Sequence, residues 1–322
     1  MVSRGKMRYR RVPALVFLYC MIFLYIPSYA QEKDGGTSEA DELMNMLEEG
    51  EPKQKKEFTT ATFKTTRLIN GHSIENVAKG VLDFKISHRF TNLSGGAKNF
   101  FGLDGANIRL GFDYGVTDWL MTGVGRNSYE KEYDGFLKMK LLRQRNGVPL
   151  SVSYLGSVMV QTMEANVLWW QTYHFSNRVC YAQQLLIARK FSKGLSLQMM
   201  PTLVHYNLVD KKSEPNDVLA LGLGGRIKLS NRISLNVEYY YQPQGYRLDG
   251  TSNSLSIGFD IETGGHVFQL HFTNSTGMTE RTYIGETTEK WEKGGIRFGF
   301  NISRVFTIVR PAEFRNSKNK IY

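Results

Sequence analysis

The chain has 322 residues, with 41 Lys and Arg against 30 Asp and Glu, a net charge of +11, and 12% aromatic residues. Its two cysteines, Cys20 and Cys180, are too few for a disulfide-stapled fold. Beyond residue 30 no apolar run reaches the roughly 18 residues of a membrane-crossing helix, so a helical membrane bundle is excluded.

Residues 1–11 carry five basic side chains and no acidic one. The apolar stretch 12–26 follows, then Pro27, Ser28, Tyr29, Ala30 and Gln31. This is the layout of a secretory leader, with Ser28 and Ala30 in the small positions, and cleavage is expected between Ala30 and Gln31. A retained anchor helix is the alternative, but Pro13 and Pro27 bracket a run short of the roughly 20 residues that a span needs. A lipid-modified Cys20 does not fit either, because Tyr19 precedes it inside the apolar run. Residues 31–57 hold nine acidic and four basic residues with few large apolar ones, the composition of a disordered periplasmic tail.

From Phe58 onward the balance is 32 basic to 21 acidic. Phe58–Ile69 is Thr-rich and alternates too weakly to be counted as a strand. In Val81–Phe90 the even positions are Leu82, Phe84, Ile86, His88 and Phe90, and the odd ones are polar apart from Val81. Period two is the mark of a strand with one apolar and one polar face. It returns in 107–116, 150–161, 178–188, 219–229, 233–241, 255–262 and 296–303. Weaker segments at 119–128, 133–142, 194–206 and 266–273 bring the total to 12. The connections mostly alternate, with 129–132 the single weak case. Thr117-Asp118, Arg143–Gly147, Ser192-Lys193, Ser230-Asn231 and Thr263–Gly265 are short, while 91–106, 163–176, 207–216, 243–252 and 274–294 are long. Outer-membrane barrels have short periplasmic turns and long external loops. The expected fold is all-β, a transmembrane antiparallel up-and-down barrel of about 12 strands over 58–306, with both termini periplasmic and a basic tail at 307–322. A secreted β-sandwich needs neither the strand length nor this rhythm.

Several stretches resemble a family of bacterial outer-membrane β-barrel domains to which no activity is assigned. They are FKTTRLINGHSIE (63–75), VLDFKISHRF (81–90), IRLGFDYGVTDWL (108–120), YDGFLKMKLLRQ (133–144), LSLQMMPTLVHYNL (195–208), GFDIETGGHVFQLHFTNSTGM (258–278) and RFGFNISRVF (297–306). The resemblance implies the same fold and supplies no catalytic residue or substrate. The strand with Phe298, Phe300 and Phe306 looks like the closing strand that barrel-assembly machinery recognises, although 16 residues follow it.

With apolar faces on outer-membrane lipid, the opposite residues line the lumen. The lumen candidates are Asp83, Lys85, Arg89, Arg109, Asp113, Lys138, Lys140, Arg178, Arg226, Lys228, Glu238, Asp260, Glu262, His271 and Arg297. Their basic excess suggests a porin-like channel for small solutes with a weak anion preference. The alternatives are a closed structural or partner-binding barrel, plugged by internal salt bridges, and an outer-membrane hydrolase using His271, Ser275 and Asp260. No G-x-S-x-G surrounds any serine and no histidine spacing fits zinc, so no catalytic residue, metal or cofactor is assigned. The leader and the period-two pattern turn the basic charge away from nucleic acid. Trp119, Trp169, Trp170, Tyr239 and Tyr241 are placed to form interfacial aromatic girdles.

Overall fold

The computed structural model describes residues 58–163 and 174–309. The expected leader with its Ala30–Gln31 cut, the acidic segment 31–57, Trp169, Trp170 and residues 310–322 lie outside the described residues.

Twelve strands form among the described residues: β1 (Val81–Asn92), β2 (Ala106–Gly115), β3 (Leu120–Asn127), β4 (Tyr133–Leu142), β5 (Ser151–Val160), β6 (Val179–Lys190), β7 (Leu195–Tyr206), β8 (Asp217–Lys228), β9 (Ile233–Tyr241), β10 (Ser254–Glu262), β11 (His266–Thr273) and β12 (Arg297–Thr307). Each pairs antiparallel with its sequence neighbours. β12 closes on β1 with Val81 opposite Thr307 and Ser87 opposite Asn301. The result is the closed up-and-down barrel that the alternation predicts. The closing strand runs on to Thr307, the first residue assigned to the tail.

Three of the tight turns share one device. A hydroxyl at the first turn position accepts backbone N–H groups two and three residues on. Thr117 Oγ1 accepts from Trp119 and Leu120, Ser192 Oγ from Gly194 and Leu195, and Ser230 Oγ from Arg232 and Ile233, at 3.0–3.3 Å. These side chains do locally what a backbone turn bond does, which holds each connection short.

Burial alternates through the middle of the strands, as in β7, where Ser196, Gln198, Met200, Thr202 and Val204 are buried and Leu195, Leu197 and Met199 are exposed. The exposed set forms an apolar outer band that includes Leu110, Phe112, Leu137, Leu223, Val237 and Phe272. Phe90, Phe272 and Phe298 cluster on it, with ring centroids 5.6–5.7 Å apart. Leu223 is near the middle of β8. Leu223→Arg is therefore expected to destabilise the folded barrel in lipid by about 2–4 kcal/mol, the usual cost of a guanidinium at mid-depth. Denaturant titration in vesicles reads this, and a cost near zero would remove Leu223 from the lipid face.

Candidate functional site: a lumen sealed from both ends

Phe58–Gly80 precedes the first wall strand and occupies the barrel interior. It enters beside the turn before β5, where Phe58 bridges to Arg145, and leaves beside Gly115, where Lys79 bridges to it. Both points lie at the tight-turn end. Between them the chain rises into the barrel and reverses at Leu68–Gly71, with a hydrogen bond from Leu68 N–H to the Gly71 carbonyl at 2.8 Å. Phe58–Ile69, the segment too weak to count as a strand, is thus the rising half of a plug.

The wall holds this plug through polar side chains. The N–H groups of Ile69, Asn70 and Gly71 all donate to the Glu238 carboxylate, at 3.1, 3.2 and 3.0 Å. Successive amides of a tight reversal form a concave anion site, and here a wall carboxylate fills it. Gln269 donates to the Leu68 carbonyl at 2.9 Å and Asn301 to that of Ile69 at 3.0 Å. Arg89 donates to the Asn70 side-chain oxygen at 2.7 Å. Lys138 donates to the Ser73 and Glu75 carbonyls at 3.0 and 2.5 Å, and Arg226 reaches the Thr62 carbonyl at 3.4 Å.

Over β5–β8 the wall is nearly uncharged, and apolar side chains alternate there with Ser, Gln and Thr. Met159, Cys180, Ala182, Leu186, Met200, Val204 and Val218 project inward from β5–β8 and pack against Phe63, Leu68 and Ile74 of the plug. Glycines make the room. A Cβ on Gly224 would lie 2.4 Å from Leu68, and one on Gly71 would lie 2.1 Å from the Tyr240 hydroxyl. The Gly222–Gly225 run is thus a recess for the plug and for Tyr240.

A second insertion comes from the long-loop end. Residues 278–285, between β11 and β12, are all buried. Arg281 anchors them. Its Nε and Nη1 meet Glu132 and Glu286 at 2.5 Å each, and Nη2 pairs with Glu130. Thr279 donates to Glu132 at 2.5 Å, and the Tyr206 hydroxyl donates to the Arg281 carbonyl at 2.8 Å. The two insertions meet in the middle, where Glu280 lies 3.6 Å from Arg67 and 3.8 Å from His72. Tyr283 and Tyr240 pack there, with ring centroids 5.2 Å apart.

What remains open is divided. A cavity of about 750 Å³ lies at the tight-turn end between the plug base and β11–β12. One of about 290 Å³ lies at the long-loop end around Arg178, Tyr206 and Glu286. A further void near Arg67, Arg89 and Arg109 measures only about 10 Å³, room for one water at most.

Of the sequence candidates, Asp83, Lys85, Arg89, Arg109, Asp113, Lys138, Arg226, Glu238, Asp260 and His271 are buried in the interior. Lys85 sits between Asp83 and Asp113 at 2.5 Å from each, and Arg109 grips Asp134 with two bonds of 2.8 and 2.5 Å. The other candidates lie at the ends. Lys140, Lys228 and Glu262 are at the tight-turn end, where Glu262 pairs with Lys64. Arg178 and Arg297 are at the long-loop end. His271, Ser275 and Asp260 form no relay among the described residues: Ser275 bonds the Ser254 and Thr287 hydroxyls at 2.8 Å each, Asp260 accepts from Gln269, and His271 hydrogen-bonds neither of them. Trp119 is exposed at the tight-turn end. On β9, Tyr239 is half-buried and Tyr241 exposed toward the long loops.

Residues 63–306 match the profile of a family described as "Membrane bound beta barrel domain (DUF5777)". The chain belongs to this family. A search of curated proteins finds no match. Among solved structures, this DUF5777 member is similar to the KdgM porin at 9% identity, covering 70% of this chain and 99% of the porin with a TM-score of 0.43. It is similar to an outer-membrane channel from Pseudomonas putida F1 at 12% identity, covering 72% and 97% of the two chains with a TM-score of 0.42. It is also similar to the Acinetobacter baumannii outer membrane protein Omp33 at 8% identity, covering 70% and 97% with a TM-score of 0.39.

The plug could not be read from the lumen charges alone. The signal available was the inner face of β5–β8. Short stretches apolar on both faces, such as Tyr154-Leu155 and Val158-Met159, do not line water.

Proposed function

We propose that this membrane barrel is a bacterial outer-membrane channel for small polar solutes, closed at rest by its own N-terminal segment, with both termini in the periplasm. The observation that carries this reading is the plug. Residues 58–80 enter and leave at one end and, among the described residues, meet the wall's backbone only there, at Gln144, Arg145, Gly115, Ile308 and Val309, so the length between can withdraw while the β1–β12 seam stays closed. The leader supplies the export route, and the aromatic closing strand suits barrel-assembly machinery as the insertion partner.

The buried charges of the described wall strands balance. Lys85, Arg89, Arg109, Lys138 and Arg226 face Asp83, Asp113, Asp134, Glu238 and Asp260. Withdrawal frees Arg89, Lys138 and Arg226 on one side and Glu238 on the other, while Lys85 and Arg109 keep their carboxylates. This favours small anions weakly. A second reading, a permanently closed barrel, is favoured by the same neutrality, because an internal salt-bridge network needs no solute.

Single-channel recording of the refolded full chain in a planar bilayer separates the two. The channel reading expects long silent periods broken by discrete openings, with a reversal potential on the anion side in a salt gradient. Silence from folded protein at every voltage, with the plug weakened as well as intact, would establish the closed barrel.

A further inference from the structure

The two ends of the barrel differ in charge. At the tight-turn end, Lys79 and residues 116–119, 140–150, 189–194, 228–232, 262–266 and 304–309 contain ten basic residues and two acidic ones, Asp118 and Glu262. None of the ten is in an ion pair among the described residues, and Glu262 is taken by Lys64. The described long loops, 93–105, 128–132, 161–163, 174–178, 207–216, 242–253 and 274–296, hold nine basic and ten acidic residues. The net basicity of the barrel is therefore concentrated in one ring.

That ring sits at the edge of the apolar band. Arg189 lies over the exposed Phe191 ring at 4.9 Å, and Arg304 over the exposed Phe306 ring at 5.1 Å. Lys193 is exposed between Phe191 and Leu195, and Arg232 between Leu229 and Ile233. A cation stacked on a lipid-facing ring puts its charge at headgroup height, where a long basic side chain extends to the interface. A soluble polyanion would not need the flanking apolar residues.

We propose that this ring binds the anionic phosphodiester headgroups of the phospholipid leaflet at the tight-turn end. The membrane thereby holds the barrel at a fixed height and keeps the mouth through which residues 58–80 pass in register with the headgroups. The inference rests on the membrane span and stands whether or not the barrel conducts. Each basic side chain near an anionic surface adds about 1 kcal/mol of attraction.

The test uses the full chain in vesicles with spin-labelled phosphatidylglycerol or phosphatidylcholine, reading the share of each label immobilised at the protein. The wild type is expected to favour phosphatidylglycerol about five-fold, the weight of one basic contact per headgroup. Arg145→Gln, Arg189→Gln, Lys193→Gln, Arg232→Gln and Arg304→Gln combined should bring the ratio close to one. A heat-dependent gel shift verifies that this variant is folded, and Lys98→Gln, Lys211→Gln and Lys290→Gln at the other end serve as a control that keeps the preference. Equal association of both lipids with the wild type would overturn the proposal. So would a preference that survives the turn variant, or one abolished by millimolar inorganic phosphate, which would assign the ring to a free anion.

Discussion

Glu238→Ala is expected to lower the stability of the folded barrel by about 3–5 kcal/mol and to turn rare openings into frequent ones. The carboxylate is the common acceptor for three consecutive amides at the plug tip, those of Ile69, Asn70 and Gly71. No backbone partner replaces it, because the tip reverses within four residues. Each buried donor left unpaired costs about 1–3 kcal/mol. Neighbouring groups cannot make up the loss. Gln269 and Asn301 already donate to the Leu68 and Ile69 carbonyls, and Arg89 offers only donors. Glu238→Gln keeps one acceptor oxygen and should fall between wild type and alanine. Denaturant titration gives the stability and bilayer recording the open fraction. Lower stability without openings would assign the plug to a closed barrel, and neither effect would mean that the tip is not what holds the plug.

The wall was legible in the sequence because a barrel strand is a regular object in a regular field. Lipid on one face and packing on the other force period two, and the Thr or Ser at positions 117, 192 and 230 marks three of the turns. The plug was not legible for the converse reason. Phe63, Leu68 and Ile74 turn toward the nearly uncharged side of the wall while Thr66 and Asn70 turn toward the charged side, so 58–80 has no single period. Parity also fixes a residue's face but not its height. Arg178, Lys228, Glu262 and Arg297 have the parity of lumen residues, yet they belong to strand ends and mouths. The basic excess read from them is a property of the ends, while the buried wall is neutral. Glycine carried information of a third kind. Gly222 and Gly224 on the inner face of β8 are explained only by what presses against them, Tyr240 and Leu68.

Arg281 supports the long-loop insertion as Glu238 supports the plug, and its removal should be more severe at high pH. Three carboxylates, Glu130, Glu132 and Glu286, converge on its guanidinium. Arg281→Met leaves them facing one another without a cation, a change that typically costs about 3–5 kcal/mol when the charges are buried. The wild type already carries a milder form of this conflict. Burial, assisted by Glu130 and Glu132 and opposed by Arg281, pushes the Glu286 carboxyl up to about 8, against about 4.5 when the loop is released. Between those values the docked loop holds a proton that the released loop does not. Docking is therefore strongest below about pH 4.5, weakens as pH rises, and has lost this contribution above about 8. Hydrogen exchange across residues 278–285 should be faster at pH 9 than at pH 6 after correction for the intrinsic rate. In Arg281→Met the loop should be released at pH 9 and recover at acidic pH, because protonation then does what the guanidinium did. Tighter docking with rising pH in the wild type, or a variant indifferent to acid, would show that the Glu286 proton does not govern the loop. The insertion would then be held by its hydroxyl network through Thr279, Ser275 and Thr287, whose bonds do not titrate in this range.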